Sequence, residues 1–452
     1  MTTKRPLGVE SSKSQGGAPV SGDPGRAGRP PARPRLYYGY YIVGGALLAQ
    51  LISTGAQNSV AGAFMSPMTK DLDWTRAEYT YGLTVSRFVA AFAGIFIGVW
   101  VDKYGGRRLM FAGAILLSLT TFMSGSVTAI WQWVIIRGVV LTLGASMVGN
   151  LVVNVTVSKW WVEKRGRMIG FAAMGVSLGG VVFPPVSALL IEEFGWRTAW
   201  RLLAVVSISL VIPVSMIMRR APEDYGLYPD GRNAEEMEGR AGAVQAADFA
   251  NSFTRREALR TPALYLIVLS FGLGGVGLGT MLLQTLPFLT DQNYTVAQAA
   301  SYTSLMSFAA LVSKVGWGWA ADRVAPNRLA AMSFVLSGCS ITGVIFASEA
   351  HALIPLAIAF VAVGWGFGGQ IPLQETIWGS YFGRRYLGSV RSVALPISLL
   401  IGAGAPLFVS WYYDTVGNYH GVFLGIGALW FVAAGIVLMV RRPTKPVTAV
   451  LA

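Results

Sequence analysis

Long apolar runs separated by short polar breaks dominate the chain. A helix wound at about 1.5 Å per residue needs roughly 20 apolar residues to cross about 30 Å of hydrocarbon. Twelve runs reach that length, over residues 38–64, 78–101, 108–127, 130–158, 166–191, 198–219, 262–290, 297–321, 328–348, 352–378, 388–413 and 420–441. They are too long and too uniformly apolar for the alternating strands of a membrane barrel. The expected fold class is therefore an all-α membrane protein with twelve transmembrane helices, numbered here as spans 1–12.

The breaks carry cations in a regular order. Lys103, Arg107 and Arg108 follow span 2, Lys159, Lys164, Arg165 and Arg167 follow span 4, and Arg219 and Arg220 follow span 6. Arg323 and Arg328 follow span 8, Arg384 and Arg385 span 10, and Arg441, Arg442 and Lys445 span 12. All lie after even-numbered spans and so on one face. The positive-inside rule makes that face cytoplasmic, with both termini on it. Residues 1–35, rich in Pro, Gly, Ser and Arg, read as a disordered cytoplasmic tail. No apolar segment precedes span 1, which is expected to act as its own uncleaved insertion signal. Residues 36–220 are expected to form an N-terminal six-helix bundle. Residues 221–260, with Glu223, Asp224, Glu235, Glu236 and Glu238, form a polar cytoplasmic linker. Residues 261–442 form a C-terminal six-helix bundle and 443–452 a cytoplasmic tail.

The two halves repeat. At a shift of 220 residues, Pro67, Asp71, Thr75, Gly98, Asp102 and Arg165 fall on Pro287, Asp291, Thr295, Gly318, Asp322 and Arg385. The register slips by a residue or two in the last two spans of each half. A shared frame of this length implies two pseudo-symmetric bundles related by an axis along the membrane normal, with a path between them.

Composition narrows the function. The chain is 53% hydrophobic and 13% charged, with a mean hydropathy of +0.52, whereas a soluble domain carries about 25% charged residues. A net charge of +14 raises the question of nucleic acid, but the cations sit in short loops between spans. Membrane lipids are the expected partner and nucleic acid is not. The single cysteine, Cys339, lies in an apolar run, so no internal disulfide forms. His351 and His420 lie far apart. No metal-ligand cluster, nucleophile–base pair or phosphate loop stands out, so no metal, cofactor or enzymatic activity is expected.

The segment Gly98-Val99-Trp100-Val101-Asp102-Lys103-Tyr104-Gly105-Gly106-Arg107-Arg108 resembles the loop 2–3 signature of the major facilitator superfamily. Gly318-Trp319-Ala320-Ala321-Asp322-Arg323 is its shorter copy in the second half. Trp160 to Ala172, Pro222 to Gly231 and Tyr381 to Gly388 resemble the monocarboxylate porter group, including bacterial relatives of the oxalate:formate antiporters. The resemblance implies the major facilitator fold, alternating access, a cavity lined by spans 1, 4, 7 and 10, and a small organic anion as cargo. Two positions depart from that group. Ala310 stands where an acidic residue is common, and Arg391 lies near the cytoplasmic start of span 11, whose middle has no cation.

Several residues are candidates for the transport path. Gly98 and Gly318 allow close helix approach. Asp102 beside Lys103, Arg107 and Arg108, and Asp322 beside Arg323, read as a doubled charged gate. Charge inside a bilayer is costly and therefore points to function. Lys314 lies eight residues before Asp322, roughly 12 Å deeper, on nearly the same face as Gly318. It is expected to face the seam between halves and attract a substrate carboxylate. The resemblance also puts it at the span-8 cation of monocarboxylate porters. Arg87, about three turns from Gly98, is a second anion contact or an outer gate. Asn150 and Asn154 in span 4 mirror Gln370 and Gln374 in span 10 at the same 220-residue shift and offer amides to the substrate. Gln57, Gln50 and Trp365 are weaker candidates. Glu375 is the internal acid, either a proton carrier or half of a cytoplasmic gate pair. Arg137 reads as a structural arginine. For each binding candidate an anchoring or packing role remains the alternative. The expected function is secondary active transport of a small organic anion of the monocarboxylate type, by a monomer, with protons or a counter-anion as the coupling ion. An exporter of drugs or other amphipathic solutes and a transporter-like solute sensor are the alternatives.

Overall fold

Each half opens its second helix with the same local signal. Thr75 caps the helix Arg76–Tyr104 while Glu78 caps back, and Thr295 and Gln298 repeat the arrangement at the helix Val296–Ala321. Both boxes satisfy N–H groups that a helix start leaves open, and they sit 220 residues apart. The computed structural model describes residues 36–403 and 405–444. The tail 1–35 and nearly all of 443–452 lie outside the described residues.

Among the described residues every regular element is helical. Span 1 runs through Tyr38–Thr54, a π turn at Gly55–Ser59, and Ala61–Asp71. It is longer than its apolar run because Phe64 and Met68 continue the buried face. Span 2 is Arg76–Tyr104 and span 3 Gly106–Ser124. Span 4 is broken by a π segment, Val134–Leu141, and by Gly149, before resuming as Asn150–Trp160. Spans 5 and 6 form one run, Arg165–Ile217, that turns at Gly195, where φ is 75°; this left-handed conformation suits glycine. Spans 7, 8 and 9 are Pro262–Asp291, Val296–Ala321 and Pro326–Glu349. Span 10 is Leu353–Gly368 and Gln370–Phe382, span 11 Leu387–Ala403 and Ala405–Val416, and span 12 His420–Met439.

Among the described residues, seven helical stretches are long and apolar enough to cross a membrane by themselves, and one of these, Arg165–Ile217, holds two spans. The other spans fall short for visible reasons. Spans 1 and 11 are interrupted, span 3 is short and opens with two arginines, and span 8 carries Lys314 among several serines. Exposed Phe88, Phe92 and Phe96 stand four residues apart on one face of span 2, the apolar surface a lipid-facing helix presents.

The halves meet closely at the Arg-rich face. A Cβ on Gly98 would lie 2.2 Å from the Gly388 carbonyl oxygen, and one on Gly388 would lie 2.3 Å from that of Gly98. The second crossing, Gly166 against Gly318, repeats this at 2.5 and 2.4 Å. Small residues are what allow backbones to approach this far. The spacing from Gly166 to Gly388 is 222 residues, which is the register slip visible in the sequence.

Candidate functional site

At each crossing an aspartate caps a helix of the opposite half. The Asp102 carboxylate accepts from the backbone N–H of Gly388 at 3.3 Å and of Ser389 at 2.7 Å. Asp322 accepts from Gly166 at 2.8 Å and from Arg167 at 3.3 Å. Helix starts present unsatisfied N–H groups and a partial positive charge, so a carboxylate fits there. The cations beside Asp102 in sequence are not its ion-pair partners. Gly105 turns the chain at φ 78°, Arg107 and Arg108 are exposed, and Lys103 lies over the Tyr104 ring. Lys159 of span 4 takes their place, 2.9 Å from Asp102 and also buried. Arg323 likewise folds over Trp319, while Arg167 pairs with Asp322 at 3.4 Å.

The linker joins this closure. Its helix Arg240–Ala250 carries Asp248, which holds Arg165 at 3.1 Å and Arg384 at 3.6 Å. Arg384 also donates to the Lys159 carbonyl at 3.0 Å and pairs with Glu223. Asp230, at φ 59°, accepts from the N–H groups of Val162, Glu163 and Lys164. At the opposite face the Arg197–Asp71 ion pair and the His420–Glu349 contact each stay within one half. The described contacts therefore fasten the halves at the Arg-rich face. Arg87 shares a face with Gly94 and Gly98, which pack on span 11, yet it is itself exposed.

Deeper in the seam, Lys314 is only 4% exposed. Its ammonium donates to the Ser177 hydroxyl of span 5, in the other half. Among the described residues it has no ion-pair partner. Gly170 makes room for this approach, since a Cβ there would lie 2.6 Å from the Lys314 carbonyl oxygen.

The amide pairs begin at the breaks in spans 4 and 10, directly after Gly149 and Gly369. The Asn154 side-chain amide donates to Asn150 Oδ1 and accepts from the Gln50 amide at 3.3 Å. Span 4 packs against spans 1 and 10 here. Glu375 holds Arg391 of span 11 at 2.5 Å, both buried. This pair lies within one half and does not bridge the two halves. Asn150, Gln374, Glu375 and Arg391 line a cavity of about 150 Å³. Gln370 is buried with its amide nitrogen unpaired among the described residues. Two candidates stand apart. Trp365 is 39% exposed, on the face of Ile354 and Ile358, and Gln57 contributes its backbone carbonyl to Arg137. Arg137, 1% exposed, donates to the Ala56 and Gln57 carbonyls that the π turn of span 1 leaves available.

The family model of the Major Facilitator Superfamily matches residues 46–395 and again 280–451. The chain belongs to the major facilitator superfamily. It is a multi-pass membrane transporter and not an enzyme. It is 25% identical to the oxalate:formate antiporter of Oxalobacter formigenes, over 83% of this chain and 86% of that one. It is 22% identical to the niacin transporter NiaP of Acinetobacter baylyi, over 90% and 93%. The proton:xylose symporter XylE, solved bound to 6-bromo-6-deoxy-D-glucose, superposes with a TM-score of 0.70 at 12% identity, over 89% of this chain and 96% of that one. At that identity the likeness concerns the fold.

For this superfamily member, Lys159, Ser177, Asp230, Asp248 and Arg384 are contacts that sequence reasoning missed. Lys159 and Arg384 carried a local signal, as cations at the ends of the matching spans 4 and 10.

Proposed function

We propose that the chain is a secondary carrier that moves a small organic anion of the monocarboxylate type across the cytoplasmic membrane by alternating access. The Arg-rich face is cytoplasmic by the positive-inside rule, so the observed arrangement is closed inside. The observation that carries this reading is Lys314, a buried cation held by a hydroxyl and with no acidic partner among the described residues. A desolvated ammonium lacks the Coulomb compensation that stabilises paired buried charge. A substrate carboxylate supplies it and can leave water at lower cost by doing so. The amides of Asn150, Asn154, Gln370 and Gln374 add hydrogen-bond donors, and Arg87 offers a first contact on the open side. Oxalate, formate and niacin, the cargoes named for the two relatives, all carry a carboxyl group, which is consistent with this chemistry.

Once the anion neutralises Lys314, the halves can rock about the two glycine crossings while Asp102 and Asp322 release the starts of spans 11 and 5. Protons or a counter-anion would drive the cycle. The test is a thermal-shift screen of purified protein against formate, acetate, lactate, pyruvate and oxalate, with glucose and a lipophilic cation as controls. Ligand binding to the folded state raises the melting temperature. Stabilisation by at least one acid and by neither control is expected. Stabilisation by the cation alone would overturn the anion assignment.

A further inference from the structure

We propose that Arg391 is a second carboxylate-binding point, occupied by Glu375 until the substrate arrives. This inference rests on the anion reading above and adds to it where the anion goes after Lys314.

Arg391 is 5% exposed and engages Glu375 through Nη2. Its Nη1 is buried with no hydrogen-bond partner among the described residues. A buried guanidinium with idle donors is costly, and its planar fork matches a carboxylate in a bidentate grip. The space needed for that carboxylate exists. The cavity of about 150 Å³ is bounded by Arg391, Glu375, Asn150, Gln374, Trp378 and Ser398. A cavity of about this volume accommodates a molecule as large as benzene, so an acid of a few carbon atoms fits. The flanking amides of Asn150 and Gln374 can donate to its oxygens.

Glu375 has somewhere to go. Asn150 of span 4 shares the cavity wall with Glu375, and spans 4 and 10 pack together here, so a substrate carboxylate can take Arg391 while Glu375 turns toward the span-4 amides. The exchange replaces one carboxylate by another at the same cation and leaves no guanidinium stranded. The order of the two cations follows from depth. Asp102 and Asp322 occupy equivalent levels; Lys314 lies eight residues from Asp322, while Arg391 lies two to three residues from the N–H groups that Asp102 caps. At about 1.5 Å per residue, Arg391 is nearer the Arg-rich face by roughly 8 Å. The anion would pass from Lys314 to Arg391 on its way to that face.

The test uses full-length protein in detergent, with whichever of formate, acetate, pyruvate or oxalate stabilises the wild type most as the probe. Glu375→Gln removes the competing charge and should bind the probe about tenfold more tightly. The neutral double variant Glu375→Gln/Arg391→Gln should lose that gain entirely. Ser398→Asp, which places a carboxylate in the cavity wall of an otherwise native protein, should weaken the probe about tenfold, and it serves if Glu375→Gln does not fold. Unchanged or weaker binding by Glu375→Gln, a double variant that keeps the gain, or an indifferent Ser398→Asp overturns the proposal while wild-type binding leaves the anion reading standing. Silence of the wild type and Glu375→Gln to these four acids and to lactate overturns both.

Discussion

The Asp102 carboxylate and the Lys159 ammonium stand 2.9 Å apart, both almost fully buried, where span 11 of the other half begins. Asp102 thus answers a cation of its own half and the helix start of the other at once. Asp102→Asn leaves Lys159 buried without its counter-ion, a loss of about 3 kcal/mol for the closed arrangement. Spin labels replacing the exposed Arg107 and Arg385, in a Cys339→Ser background, should then report a longer distance at the Arg-rich face. An unchanged distance distribution would mean that this pair does not hold the gate.

Asp322 occupies the equivalent place without an equivalent cation. The residue 220 positions after Lys159 is Gly379. Asp322 faces the partly exposed Arg167, and Asp230 adds like charge. Burial outweighs the stabilising N–H groups of Gly166 and Arg167 and raises the Asp322 carboxyl from 3.8 to about 6. A raised acid favours its neutral form in the fold. Its contribution to stability is therefore fully present below about 3.8, declines as pH rises through about 6, and is flat above. Asp322→Asn mimics the neutral form. Its melting temperature relative to wild type should rise between pH 4 and 6 and then level off; a difference independent of pH would refute this assignment.

The glycine crossings admit no Cβ in the observed arrangement. Gly318→Ala places its methyl 2.4 Å from the Gly166 carbonyl oxygen, a contact that forces the helices apart. Transport should fall about tenfold or more, with membrane insertion unchanged. Gly180→Ala, whose Cβ meets nothing within 4 Å, is the control and should transport normally. Equal rates for the two variants would show that the crossing is not needed in the cycle.

What could be read from the sequence follows from the range of the interactions. Span number, the repeat frame and the pairing of Gly98 with Asp102 depend on helical spacing over a few residues. Lys314 could be aimed at the seam because Gly318 lies one turn away. The partners of these groups come from far along the chain: Ser177 is 137 residues from Lys314, and Ser389 is 287 from Asp102. Nearness in sequence favoured Arg107 and Arg108 as the gate cations, but one positive-φ glycine, Gly105, turns the chain just ahead of them and they end up exposed. Arg391 looked like a cytoplasmic end residue because depth along a helix says nothing about what packs against it. The linker looked merely polar because Asp230 and Asp248 act through backbone N–H groups and arginines that periodicity does not reveal.

Arg137 illustrates a buried charge with a structural task. It donates to two carbonyls at 2.7 and 2.5 Å, and the rings of Trp133 and Trp200 stand beside it. Arg137→Ala should destabilise the fold by about 3 kcal/mol, seen as a lower melting temperature, without changing anion affinity in the protein that remains folded. Arg137→Lys should fall between, since an ammonium cannot span both carbonyls as a fork does. A normal melting temperature for Arg137→Ala would remove the structural role.

The decisive measurement is uptake, in proteoliposomes, of the anion identified by thermal shift. Lys314→Gln should lose about 30-fold or more in apparent affinity with unaltered insertion, and Lys314→Arg should recover part of it. Uptake by Lys314→Gln within about twofold of wild type would contradict it.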